Sequence, residues 1–509
     1  MIHAKIKVYT HNFSVEPISS DFNRALIKYA KEFYYEQLFY NKRGEVISDN
    51  SRIFAAATKD RTIYRFHYNA FFKFIDFLER YNYRSTEYEI EYHNNPTYGT
   101  SEFPIRPMFQ PREYQIPVID YIASDKLTKF KLLALNTGEG KTISAFFGMH
   151  RLKLKTAVVL RSGYIERWKD EIEKVFEPSI KCAMIVGSDQ LKSFINGCIE
   201  NSLDYDIALI SNKTMQRYLT LYEGLKDGIL QIGYGCAPYN FFETIHAGMR
   251  IIDETHQDFH FNFKLDLYTN VQNSLSLSAT LVSRDRFIEN MYEIAYPKDF
   301  RYHTVEMKKF IRATVIYYST SDKARIKSNR RGSNAYNHIV YEDSITKNKK
   351  YLNQYLEMIR YYVEHFYIQR KAPEDKLIIF AASVHMCSEI ADYLKKKYPF
   401  DSIAKYTGED DYCNLIEPSI RVTTPSSGGT AHDIPNLTTI LMTMSIDSIQ
   451  TSLQVVGRLR HIPNKDLLYA YMVDTSIPKQ VQYHVRRKKL LKERVLSLNE
   501  TFYQYTIGD

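Results

Sequence analysis

Leu135-Asn136-Thr137-Gly138-Glu139-Gly140-Lys141-Thr142 closes the apolar run Leu132-Leu133-Ala134-Leu135 and opens a helical pattern. Glycines at such a junction let backbone N–H groups close on phosphate oxygens, and the helix start behind them favours anions. In this reading Lys141 reaches the β- and γ-phosphates of a nucleotide and the Thr142 hydroxyl holds Mg²⁺. Strict P-loop spacing would put a glycine where Leu135 stands. Taken alone, the octad therefore reads equally as a glycine-rich turn before a helix.

Working outward, apolar runs alternate with helical patterns, as parallel α/β units do. One series holds Leu132 to Leu135, Ala157 to Leu160, Ile207 to Ile210 and Met249 to Ile252. A second begins near Ala313 and holds Leu377 to Phe380, Thr438 to Met442 and Leu467 to Met472. Upstream lie short alternating segments, a first strand at the N-terminus and one apolar helical run, Tyr68 to Tyr81. The turn-rich stretch His93 to Thr100 separates them from the rest. The expected fold class is α/β: two tandem parallel-sheet domains behind a small α+β N-terminal domain. Boundaries fall at 1–95, 96–305 and 306–509, the last ending in a basic helix. A length of 509 residues accommodates about three domains.

Two further clusters carry chemistry. Ile251-Ile252-Asp253-Glu254-Thr255-His256 ends an apolar strand about a hundred residues after the octad. A strand-end aspartate binds Mg²⁺ through its water shell, and the adjacent glutamate can orient and deprotonate a water. A solvated acidic turn is the plain alternative. Gln454-Val455-Val456-Gly457-Arg458-Leu459-Arg460-His461 lies in the second series. An arginine directed at a transferring phosphoryl group is worth ~10³–10⁵ in rate. A helix with a basic solvated face has the same pattern.

Composition narrows the class. Hydrophobic residues make up 44% and charged residues 25%, enough for a substantial core and a polar surface. No run approaches the ~18 apolar residues of a membrane span. The N-terminus lacks the basic-then-apolar pattern of a secretory leader. Five cysteines without CxxC spacing argue against a zinc or disulfide framework and for a reducing, cytoplasmic setting. A net charge of +9 permits a polyanionic partner without requiring one. The basic stretches Lys323 to Gly332 and Arg486 to Lys492 could meet phosphates or simply face water. In the second, Leu490 and Leu491 would anchor a helix whose charges point outward.

The order Gln115, Thr137-Gly138-Glu139-Gly140-Lys141-Thr142, Asp253-Glu254-Thr255-His256, Ser278-Ala279-Thr280 and Gln454 to Arg460 resembles the superfamily 2 helicases. The resemblance runs from about Phe109 to Asp474. It implies that the two parallel-sheet domains are RecA-like and that the chain is an ATPase needing Mg²⁺. Arg112 and Gln115 would read adenine, the loop from Thr137 to Thr142 would hold the phosphates, and Asp433 would lie near the sugar. Thr142 and Asp253 would place the metal. Glu254 would be the base, with Lys141, Gln454, Arg458 and Arg460 completing the catalytic set. His256, Ser278 and Thr280 would couple nucleotide state to movement. Arg161, Thr423, Thr424 and Gly429 would touch nucleic acid.

Two departures qualify this. The family spaces its arginines QxxGRxxR, whereas His461 holds the last position here and favours Arg458 over Arg460. Arg161 stands where a proline is common, and either a phosphate contact or a solvated loop charge fits it. Within the superfamily, the small leading domain and compact core are most similar to the UvsW-type branch-migration helicases of tailed phages. The segment around Trp168 resembles Swi/Snf-type duplex translocases. These likenesses imply a monomeric motor on branched or partly single-stranded DNA, in host cytoplasm if phage-encoded, with no membrane partner. RNA unwinding, duplex translocation without strand separation and an ATP-dependent clamp are the rival readings.

Overall fold

A computed structural model gives the fold. It describes residues 1–40, 46–124, 130–135, 139–225, 229–278, 281, 283, 285–303, 309–321, 326–329, 335–407, 410–411, 413–428, 434–492 and 494–508. The chain forms two compact units, Met1–Thr304 and Val305–Asp509.

The first unit opens with a five-stranded sheet. Its strands are β1 (Ala4–Tyr9), β2 (Asn12–Pro17), β3 (Ala56–Ala57), β4 (Tyr64–His67) and β5 (Tyr88–His93), ordered β3-β4-β2-β1-β5. β1 runs antiparallel to β2 and parallel to β5. Alternation in β1 buries Ala4, Ile6 and Val8 on one face, as a half-covered strand requires. The helices Ser20–Ala30 and Phe71–Arg80 contribute Phe22, Leu26, Tyr29, Phe71, Phe74, Phe77 and Leu78 to the same core.

This sheet is joined to the following domain through polar groups. Thr10 Oγ1 donates to Asn270 Oδ1 (3.0 Å), and Asn12 Nδ2 donates to the Thr269 carbonyl (3.0 Å). His11 Nε2 lies 2.8 Å from Ser274 Oγ. At the centre, Asp266 pairs with Arg250 at 2.5 Å and lies 3.4 Å from His67 Nε2, all three side chains being buried. A buried carboxylate survives only with such partners.

The second part of the unit is a seven-stranded, wholly parallel sheet. Its strands are β6 (Phe130–Ala134), β7 (Thr156–Leu160), β8 (Cys182–Ile185), β9 (Ile207–Ser211), β10 (Met249–Ile252), β11 (Asn273–Ser278) and β12 (Arg301–His303). They are ordered β8-β9-β7-β10-β11-β6-β12. Every residue of β7, β9 and β10 is buried, the sign of strands covered on both faces.

The second unit repeats the plan. Its strands are β13 (Ile311–Thr320), β14 (Lys376–Phe380), β15 (Ile403–Tyr406), β16 (Ile420–Thr423), β17 (Leu437–Met442), β18 (Leu467–Asp474) and β19 (Ser497–Ile507). The order β15-β16-β14-β17-β18-β13-β19 is again all parallel. Numbered within its own sheet, each unit reads 3-4-2-5-6-1-7. Two parallel-sheet domains of one topology, behind a small α+β domain, are thus what the alternating runs encode.

The basic C-terminal helix, Pro478–Lys492, departs from the expected outward display of charge. Its inner face carries Gln480, His484, Arg487 and Leu491, spaced as one helical stripe. Arg487 lies inward over the Tyr471 ring, 4.9 Å from its centroid. Arg486 forks onto Asp447 (2.7 and 3.0 Å), and Lys488 pairs with Glu500. Residues 326–329 are the only described part of the other basic stretch. Among the described residues, no helix is long and apolar enough to cross a membrane.

Candidate active site

Strand register brings the separated motifs of the first unit together. β10, β11 and β6 are neighbours, with Ile252 opposite Ser276 and Ala134 opposite Ser278. Leu135, Asp253 and Ser278 therefore stand at the same C-terminal edge, where parallel sheets bind ligands.

Gly140 precedes the helix Lys141–Leu152 with φ +77°, and a Cβ there would meet Gln115 Nε2 at 2.6 Å. Glycine alone takes this conformation without strain. Gln115 is buried in the turn Glu113–Gln115; its Oε1 accepts from the Arg112 amide (3.0 Å) and its Nε2 donates to Ser144 Oγ (3.4 Å). Lys141 Nζ donates to the Leu135 carbonyl (3.0 Å), turning its side chain back toward the end of β6. Thr142 sits in the first helical turn, and Glu139 lies in the bend before it. Thr137 and Gly138 lie outside the described residues.

The acidic turn is held from several sides. The Trp168 indole N–H donates to Asp253 Oδ2 at 2.8 Å. The Asp253 amide donates to Val159 O and the Thr255 amide to Leu277 O. Asn262 Nδ2 donates to Thr255 O (2.8 Å), and Thr255 Oγ1 lies 3.0 Å from the Tyr296 hydroxyl. Between these anchors Glu254 takes φ +48°, a left-handed conformation unusual for a side chain of this size. Burial, and then the charge of Glu254, push the Asp253 carboxyl up to about 6, against the Trp168 hydrogen bond and the charges of Lys141 and Arg167. A desolvated carboxylate of this kind suits a divalent cation.

His256 is buried, and burial followed by the charge of Lys141 lowers its pKa to about 3, so the ring is neutral. Its Nδ1 lies 2.9 Å from Ser278 Oγ. Glu254 Oε2 approaches the same nitrogen at 3.3 Å without forming a hydrogen bond. Thr280 lies outside the described residues.

Arg161 is committed within the unit. Its Nε and Nη2 fork onto Asp258 at 2.8 and 3.1 Å, and Asn212 Nδ2 donates to the same carboxylate at 2.7 Å. A phosphate contact would require that pair to open. Neither Asp258 nor Asn212 carries a sequence motif. Trp168 does have one signal: it is the only tryptophan in the chain and lies on the helix Ile165–Val175 that follows β7.

In the second unit, Thr423 ends β16 and is buried. Thr424 Oγ1 accepts from the Ser427 amide (3.3 Å) and lies 3.0 Å from Ser426 Oγ, capping the short turn Pro425–Gly428. Gly429 and Asp433 lie outside the described residues. Gln454 lies on the helix Ile449–Val456; Arg458, just past it, is 6% exposed, while Arg460 is half-buried. His461 packs edge-on against Phe310 (5.6 Å).

Sequence and structure comparisons find proteins similar to this chain. Residues 108–283 match the family model described as ResIII, Type III restriction enzyme, res subunit. The chain is 21% identical over 434 residues to the general transcription and DNA repair factor IIH helicase/translocase subunit XPB of Enterocytozoon bieneusi (strain H348). That match covers 79% of this chain and spans 66% of the relative's length. Among solved structures, a fragment of an HsdR subunit of a type I restriction enzyme from Vibrio vulnificus YJ016 is 16% identical with TM-score 0.49, covering 79% of this chain and 70% of that one. T4 UvsW is 13% identical with TM-score 0.36, covering 98% and 99%.

Proposed function

We propose that this chain, which carries a superfamily 2 helicase-type core, is a DNA-stimulated ATPase that moves along DNA and remodels branched duplexes. The observation carrying this reading is the convergence of Gln115, Gly140, Lys141, Asp253 and Glu254 at the edge of β6, β10 and β11. Gln115 supplies an amide for the adenine edge, with Arg112 beside it. The loop through Gly140, with Lys141, supplies donors for the phosphates. Thr142 and Asp253 are the residues that would hold Mg²⁺, which neutralises phosphate charge when bound.

Glu254 is the proposed base: it orients a water and takes its proton at a carboxylate oxygen. Arg458 and Arg460 are the proposed source of positive charge for the transferring phosphate. The Ser278–His256 contact then joins the hydrolytic turn to the end of β11, so a change at Glu254 is felt along that strand. Differential grip on nucleic acid in two nucleotide states converts hydrolysis into movement.

A second reading is duplex translocation without strand separation; the relative described as a helicase/translocase subunit is compatible with it. Steady-state ATPase of Lys141→Ala and Glu254→Gln tests the shared core. Both should lose turnover, and a fully active Glu254→Gln protein would remove the assigned base. Strand displacement from a forked duplex then separates remodelling from plain translocation.

A further inference from the structure

We infer that Trp168 is a positioning residue for the metal-binding carboxylate, holding Asp253 through its indole N–H. This rests on the proposed role of Asp253. The donor is buried, with Trp168 3% exposed, and its hydrogen bond to Asp253 Oδ2 is 2.8 Å long. The ring is itself fixed. It lies on the buried stripe Ile165, Trp168, Ile172 and Val175 of its helix. It also meets Phe146 edge-on, with centroids 5.5 Å apart at 83°. Phe146 belongs to the helix that Lys141 begins. One side chain thus bridges the helix behind the phosphate loop and the carboxylate that would face the metal.

Engaging Oδ2 fixes the rotation of the carboxylate and leaves Oδ1 to a cation's water shell. Without the indole donor, the half-buried carboxylate loses a charge-assisted hydrogen bond and the orientation that goes with it. The cost then falls on metal use rather than on ATP contacts made by Gln115 or Lys141.

Trp168 is the chain's one tryptophan, so intrinsic fluorescence of the full-length protein reads this contact without labelling. Asp253→Asn should change the emission maximum of Trp168 even in a protein with no turnover. In the unmodified protein, Mg²⁺ added with ADP should shift emission, while ADP with chelator should not, and Asp253→Asn should abolish the Mg²⁺-dependent shift.

Trp168→Phe keeps an aromatic edge against Phe146 and removes the N–H. It should raise the Mg²⁺ concentration for half-maximal ATPase about tenfold or more, the scale of a lost hydrogen bond to a charged group. Excess Mg²⁺ should rescue kcat, and KM for ATP at saturating Mg²⁺ should stay put. Unchanged Mg²⁺ dependence in a folded Trp168→Phe protein would overturn the inference. Emission indifferent to both Mg²⁺·ADP and Asp253→Asn would overturn it whether or not that variant folds. An unmodified protein inert on every nucleic acid would instead remove the function proposed above, while the emission change in Asp253→Asn would still report the contact.

Discussion

His256 Nδ1 lies 2.9 Å from the hydroxyl of Ser278, joining the turn that follows β10 to the last residue of β11. The contact is buried. It reaches the same nitrogen that Glu254 approaches at 3.3 Å. Ser278→Ala removes this link and leaves Lys141, Asp253 and Glu254 in place. The expected outcome is basal ATPase within a few-fold of the unmodified protein, with most stimulation by nucleic acid lost. Parallel ATPase and strand-displacement assays check it.

Gly140 is a second point of strain control. Gly140→Ala puts a Cβ 2.6 Å from Gln115 Nε2 at φ +77°. We expect a stability loss of about 1–2 kcal/mol and nucleotide binding weakened by tenfold or more. Thermal unfolding and ADP titration measure the two effects separately.

Glu254 carries the opposite balance. At φ +48° the residue costs about 1 kcal/mol or more relative to glycine. Glu254→Gly should therefore raise the unfolding free energy slightly while removing the proposed base. Glu254→Gln should retain ATP binding and lose about 10²–10⁴ in turnover. A Glu254→Gly protein less stable than the unmodified one would contradict the strain argument.

The seam between the leading sheet and the parallel sheet behind it depends on Asp266. Asp266→Ala leaves Arg250 buried without its carboxylate, a loss of about 3–5 kcal/mol. Urea unfolding should show the whole first unit weakened, because β2, β4 and the strand-end residues share this network.

Acid sensitivity in the second unit has an identifiable source. His338 Nδ1 accepts from the Ser445 amide at 3.2 Å. Burial, followed by the charge of Arg487, lowers its pKa from 6.5 to about 3. Protonation therefore favours the unfolded chain, so this contribution is complete above about pH 6.5 and falls as pH drops toward 3. Glu342, 3.8 Å away and pushed up to about 7 mainly by burial, acts in the opposite sense from pH 4.5 upward. His338→Asn should flatten the acid limb of a urea-midpoint profile, by an amount on the order of a few kcal/mol at most.

Sequence was informative where chemistry is local. The octad at Leu135 to Thr142, the strand-end carboxylates and the alternating runs named the sheet class and its acidic edge. The partners that hold the site were illegible because they depend on register. Trp168 reaches Asp253 from the helix after β7, next to β10 in the sheet but some eighty residues earlier in the chain. For Arg161 the sequence allows a phosphate contact or a loop charge, and only the fold brings Asp258 and Asn212 beside it. Thr10-His11-Asn12 carries no motif, yet it docks one sheet on the next. Arg487 looked exposed within a basic run, but helical spacing turns it inward over Tyr471.

The most direct test of the central claim is steady-state ATPase on single-stranded DNA, duplex, a four-way junction and structured RNA, each at two salt concentrations. Stimulation should be strongest with the junction and weaken as salt rises, because phosphate contacts dominate binding. Stimulation by RNA alone would contradict the DNA substrate, and turnover indifferent to every nucleic acid would contradict the motor itself.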